Sequence, residues 1–182
     1  MNRNKYRTTS QKVKRLIALT LGFLVVIAGF LSYQILEPSW SGSALVSAAE
    51  INTIRDSITL KVNHARIQND QPQLIQNIQL QNAAQAKADN MVKEGYFSHV
   101  RPDGYKWSNF IDSSGYNYRY AGENLAKGYT SVDAMVISWM NSESHKENIL
   151  NKDYIDTGVG FAFQNTESGK ILYVVQMFGA TY

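Results

Sequence analysis

Residues 16–31 are apolar except for Thr20, and they follow a cluster of six basic residues, Arg3, Lys5, Arg7, Lys12, Lys14 and Arg15. No other feature restricts the chain as strongly, because a run of this kind has to be removed from water. With the looser Ser32-Tyr33-Gln34-Ile35-Leu36 it reaches 21 residues. As a helix rising ~1.5 Å per residue it would be about 31 Å long, the thickness of a bilayer's hydrocarbon core. In a chain of 182 residues nothing else could cover such a helix inside a protein core. A transmembrane anchor over 16–36 is therefore expected, behind a basic tail over 1–15. The charge bias keeps the N-terminus in the cytoplasm and places the rest outside. The alternative is a secretory leader cut after Ala48, where Val46-Ser47-Ala48 offers small residues. Ser47-Ala48-Ala49-Glu50 also has the form of a capping box that opens the next helix. A cut would destroy it, so the anchor is preferred. Both readings put residues 50–182 outside the cytoplasm, joined by a linker over 37–49.

The pI near 9.0 belongs to the tail. From Glu50 onward there are 14 acidic against 12 basic residues, a net charge near −2. A nucleic-acid partner needs clustered positive charge on the folded part, and none is present. The absence of cysteine excludes disulfides and thiolate metal sites. With 11 Tyr, 7 Phe and 3 Trp the chain can still build a substantial core.

Ile51, Ile54, Ile58, Val62 and Ala65 recur at steps of three and four, which predicts a helix over about 50–68. Asn69-Asp70-Gln71-Pro72 breaks it. Leu80, Ala84, Ala88 and Met91 mark a second helix that ends near Gly95. Trp107, Phe110 and Ile111 suggest one short helical turn. Residues 115–128 read as irregular with at most a short strand. Thr130-Ser131-Val132-Asp133 opens a third long helix, and a shorter one carries His145, Ile149 and Leu150. The end is a hairpin, Gly158–Gln164 and Ile171–Phe178, around a Ser168-Gly169 turn. Helices enclosing a C-terminal antiparallel sheet make the fold class α+β, with layers.

Chemistry concentrates in a few words: Phe97-Ser98-His99, Gly122-Glu123-Asn124, and Trp139 to His145. No spacing here is by itself a metal or catalytic signature. A neutral imidazole suits zinc and related ions, and a carboxylate beside it fixes its tautomer. The plainer roles stand alongside. His99 could cap the second helix or satisfy buried carbonyls. Glu123 could pin its loop as a buried acceptor. Ser142 and Ser144 invite a nucleophile, yet serine is also a common N-cap, and no nucleophile-elbow sequence is present. His64 reads as a surface or structural residue. Tyr116, Tyr118 and Tyr120 alternate as on a strand.

Taken in order, these words resemble the CAP superfamily (cysteine-rich secretory, antigen 5 and pathogenesis-related proteins, also called SCP-like) in its short bacterial extracytoplasmic form. The resemblance includes Asn148-Ile149-Leu150 and the closing Gln176-x-Phe178-Gly179, and it covers about residues 55–182. Asn63, Arg66, Leu74, Leu80 and Ala84 fall in the family's order. It implies an α-β-α sandwich around a cavity with two histidines and acidic residues, which in some members binds a divalent metal such as zinc. By that resemblance His99 and His145 are the metal ligands, and Glu123, His99 and His145 are the catalytic candidates. The family's second cavity glutamate has no clear counterpart: Ser142 stands in its place, and Glu143 lies two residues before His145. The implied function is a membrane-anchored binding module of the cell envelope, with an envelope polymer or protein as partner. The alternative is a cell-wall hydrolase using Glu123 and the histidines, which the missing carboxylate disfavours because glycosidases use a pair.

Overall fold

The computed structural model describes residues 48–182. The expected basic tail, transmembrane segment 16–36 and nearly all of the linker lie outside the described residues. Among the described residues no helix is long and apolar enough to cross a membrane.

Helix α1 spans Ala48–Ile67. Its stripe of Ile54, Ile58, Val62 and Ala65 is buried, as the period predicts. The expected break is there, with Asp70 in a left-handed conformation at φ 56. A two-residue strand, β1 (Ile75–Gln76), follows. Helix α2 (Ile78–Lys93) starts at Asn77, whose side chain accepts from the N–H groups of Gln79 and Leu80. It ends before Gly95, where φ is +70 and glycine is the least costly residue. The short helical turn is α3 (Trp107–Ser113). Strand β2 covers Tyr118–Lys127. Helix α4 (Val132–Asn141) is capped by Ser131, and α5 (Glu143–Leu150) follows directly. The hairpin is β3 (Asp156–Thr166) and β4 (Gly169–Thr181), longer at both ends than the sequence suggested.

The strands form one sheet in the order β1-β3-β4-β2. β1 runs parallel to β3, and the other pairs are antiparallel. β4 is continuously buried from Leu172 to Ala180 and alternates between two cores. Leu172, Val174 and Phe178 pack with Ile54, Ile58, Val62, Met135, Trp139 and Ile149 of α1, α4 and α5. Tyr173, Val175 and Met177 pack with Leu80, Ala84, Ala88 and Met91 of α2 and Ile111 of α3. One sheet thus carries helices on both faces.

Gly158 and Gly160, two residues apart on β3, face α2. A Cβ at Gly158 would lie 2.7 Å from the Cα of Gln81, and one at Gly160 would overlap backbone atoms of Ala84 and Gln85. Gln85 crosses this close approach, donating to the Phe161 carbonyl at 2.9 Å and accepting from the Phe161 N–H at 3.3 Å. Helix α2 is therefore seated on the sheet with little freedom to slide.

The segment expected to be irregular, 115–128, holds a ten-residue strand instead. Tyr116 lies just before it and is buried, its hydroxyl donating to Asp156 at 2.6 Å. Tyr118 is half-buried and Tyr120 is exposed.

Candidate functional site

Glu123 sits in the middle of β2, paired with Met177 of β4 and on the same sheet face as α2. Its side chain is 1% exposed. Oε1 meets His99 Nδ1 at 2.6 Å. Oε2 is buried and has no hydrogen-bond partner in the protein. Burial pushes the carboxyl above the usual glutamate range, against the opposing hydrogen bond from His99 and the charges of Lys87 and His99. The His99 ring, by contrast, is 53% exposed. The pair therefore runs from a deep carboxylate to an imidazole open to solvent. The side chain of His99 neither caps α2 nor fills the core. Its backbone is held instead: its carbonyl accepts from Trp107 N–H at 3.1 Å and from the Lys87 ammonium at 3.3 Å.

β2 has no neighbouring strand on its outer side, and side chains take that place. Alternate carbonyls at Ala121, Glu123 and Leu125 accept from Tyr154 Oη at 3.0 Å, Asn148 Nδ2 at 3.1 Å and Trp139 Nε1 at 3.0 Å. A buried carbonyl without a donor would cost about 1–3 kcal/mol, so these contacts hold the strand and the acid it carries. The Gly-Glu-Asn word is explained residue by residue. A Cβ at Gly122 would lie 2.9 Å from Cζ of Tyr154, in the way of that hydroxyl. Glu123 supplies the carboxylate. Asn124 is fully buried, accepts from Asn148 Nδ2 at 2.9 Å and donates to the His145 carbonyl at 3.1 Å.

His145 stands on the first turns of α5, half-buried, its ring 6.4 Å from that of Trp139. Its Nδ1 meets Ser142 Oγ at 2.8 Å. Ser142 occupies the N-cap position of α5, yet its side chain caps no backbone N–H. The hydroxyl turns to the imidazole instead. Burial, and then the charge of His99, push His145 below the usual histidine range. Glu143 is exposed and Ser142 lies against His145. Among the described residues no group of three or more His, Asp or Glu side chains is placed to hold a metal ion.

Residues 59–178 match the profile of the CAP, or cysteine-rich secretory protein, family. The chain belongs to the CAP family. It is 40% identical over 92 residues to the Bacillus subtilis protein YkwD, covering 50% of this chain and 34% of that protein. It is 29% identical over 124 residues to the Bacillus subtilis membrane protein YlbC, covering 68% and 34%. The chain thus spans about a third of the length of these curated relatives. Among solved structures it resembles an extracellular protein with an SCP domain from Bacillus anthracis, at TM-score 0.61 and 23% identity, covering 76% of this chain and 45% of that one. An outer surface protein of Borrelia burgdorferi aligns at TM-score 0.62 and 20% identity, covering 78% and 99%. These structural likenesses establish the fold.

Within this CAP domain the side chains of two of the three expected residues meet. Glu123 and His99 touch directly. His145 joins through Asn124 and Asn148, which link its backbone to that of Glu123. His64 is exposed on α1, as expected. Two participants were not anticipated. Tyr154 carries no local signal. Lys87 does: it falls inside the apolar stripe Leu80-Ala84-Ala88-Met91 of α2, and a lysine at an inward position marks a buried charge.

Proposed function

We propose that this CAP domain is a binding module of the cell envelope, held at the membrane by residues 16–36. It receives a ligand at the site formed by His99, Glu123 and His145. The observation that carries this reading is Glu123 Oε2, a buried acceptor oxygen with no protein donor. Buried acceptors are normally paired with protein or water, so a water, or a ligand hydroxyl, amide or cation that displaces it, is the natural partner. The membrane protein among the relatives and the extracellular and outer-surface proteins among the similar folds support an envelope location.

The donor set suits a divalent cation such as zinc. Each imidazole has Nδ1 engaged, His99 with Glu123 and His145 with Ser142, which leaves Nε2 as the ligating atom. When bound, such an ion would supply positive charge to an oxygen of the ligand. Two imidazoles leave further positions for solvent or ligand, so the affinity is expected to be modest. Calorimetric titration of the full chain with zinc tests this. Saturable binding should weaken at least tenfold in the His99→Ala, His145→Ala double variant, and unchanged affinity would remove both residues from the site.

One observation favours a hydrolase as a second reading. The raised affinity of Glu123 for its proton suits a general acid. The exposed position of Glu143 and the serine at 142 leave it without the paired carboxylate that glycosidases use. Sedimentation with purified cell walls, with the soluble fraction assayed for released fragments and the protein compared with Glu123→Gln, separates the two readings.

A further inference from the structure

Lys87 is fully buried. Its ammonium donates to the carbonyl of Ser98 at 2.8 Å, to the carbonyl of His99 at 3.3 Å and to Tyr96 Oη at 3.2 Å. Three donors meet three acceptors, so the group is saturated. Tyr96 passes the chain on to Asn90 Oδ1 at 2.7 Å. The rings of Tyr96 and Phe110 flank the ammonium at 4.8 and 5.5 Å. None of these partners is a carboxylate, and Glu123 is the acid whose charge acts on it.

Burying an ammonium costs several kcal/mol, and a methionine of similar shape would fill the space without that cost. Packing alone therefore does not explain a lysine here. The acceptors it selects do. Two of the three belong to Ser98 and His99, in the connection between α2 and α3. Helix α2, locked on β3 by Gly158 and Gly160, gives the ammonium a fixed base. The carboxylate that His99 meets lies on β2, a separate element fixed by its own side-chain contacts.

We propose that Lys87 is the positioning residue of the His99–Glu123 pair: by tying the Ser98 and His99 carbonyls to α2, it sets His99 Nδ1 against Glu123. His99 Nε2 is thereby turned toward the incoming ligand or cation. The metal arm of the test rests on the binding function proposed above, and the tautomer arm does not.

The test uses the full chain labelled with 15N at its three histidines, and the variant Lys87→Met. Nitrogen spectra at about pH 9, above the ordinary imidazole range, report which ring nitrogen carries the proton. In the parent protein His99 should hold its proton on Nδ1. In Lys87→Met it should shift toward the Nε2–H form, while His145 and His64 keep their signals. Zinc affinity should fall about tenfold or more, the range of losses seen when a metal ligand's supporting partner is removed. A Lys87→Met protein that loses stability but keeps the His99 tautomer would reduce Lys87 to a structural residue and overturn the proposal. If the parent binds no zinc, the metal reading fails, and the tautomer still decides the role of Lys87. Should Lys87→Met not fold, Tyr96→Phe removes one acceptor and should shift His99 in the same direction by less. Unmoved His99 signals there would equally overturn it.

Discussion

Arg66→Met should lower the unfolding free energy of the chain by about 3–5 kcal/mol. Arg66 ends α1 and is fully buried. Its guanidinium donates to the carbonyls of Pro72 at 2.6 Å, Ile149 at 2.7 Å, Asn151 at 2.9 Å and Tyr154 at 3.4 Å. These carbonyls belong to the connection before β1, the end of α5 and the connection before β3. One side chain thus closes three chain segments around the end of α1. Bonds from a charged donor contribute about 1.5–3 kcal/mol each. The gain from no longer burying a guanidinium offsets part of their loss, which sets the range. A domain of this size is stable by only about 5–15 kcal/mol, so the variant should be marginal. Urea unfolding measures it, with exposed Arg119→Met as a control expected within about 0.5 kcal/mol of the parent. A loss below about 1 kcal/mol for Arg66→Met would show that the four carbonyls find other donors.

Gly160→Ala should cost about 3 kcal/mol, the upper end for overpacking. The added methyl would overlap the backbone of Ala84 and Gln85, and a helix backbone cannot rotate aside as a side chain can. The whole of α2 would have to lift from β3. That motion would also break the paired contacts between Gln85 and Phe161. Because α2 carries Lys87, the displacement should reach His99 as well. The same urea titration decides the matter, and a cost under about 1 kcal/mol would mean that α2 and β3 separate easily.

The helices were legible in the sequence because their cause is local. Four buried positions at steps of three and four define α1, and Asn77 and Gly95 bracket α2. β2 was hidden because its cause is not local. Tyr-Arg-Tyr-Ala-Gly-Glu-Asn-Leu-Ala-Lys contains no β-branched residue, and its Gly and Asn are uncommon in strands. It is a strand because β4, some fifty residues later, pairs with one edge and Trp139, Asn148 and Tyr154 hold the other. β1 is too short for any period to reveal.

The site followed the same division. His99, Glu123 and His145 stood out through the order of the words that carry the family resemblance, not through spacing. The contact between His99 and Glu123 spans 24 residues and depends on the sheet. Arg66 also fell in the family's order, but its burial was invisible, since a charged residue near a helix end normally faces water. Lys87 is the exception, a lysine set within the apolar stripe of α2.

The most direct test of a binding site at Glu123 is sedimentation of the full chain with purified bacterial cell walls, beside Glu123→Gln. The soluble fraction is assayed for released fragments. The protein should co-sediment with the walls, bind at least tenfold more tightly than Glu123→Gln (about 1.4 kcal/mol), and release no fragments. Equal sedimentation of the two proteins would contradict a site centred on Glu123. Fragments released by the parent and not by Glu123→Gln would make the protein a hydrolase and not a binding module.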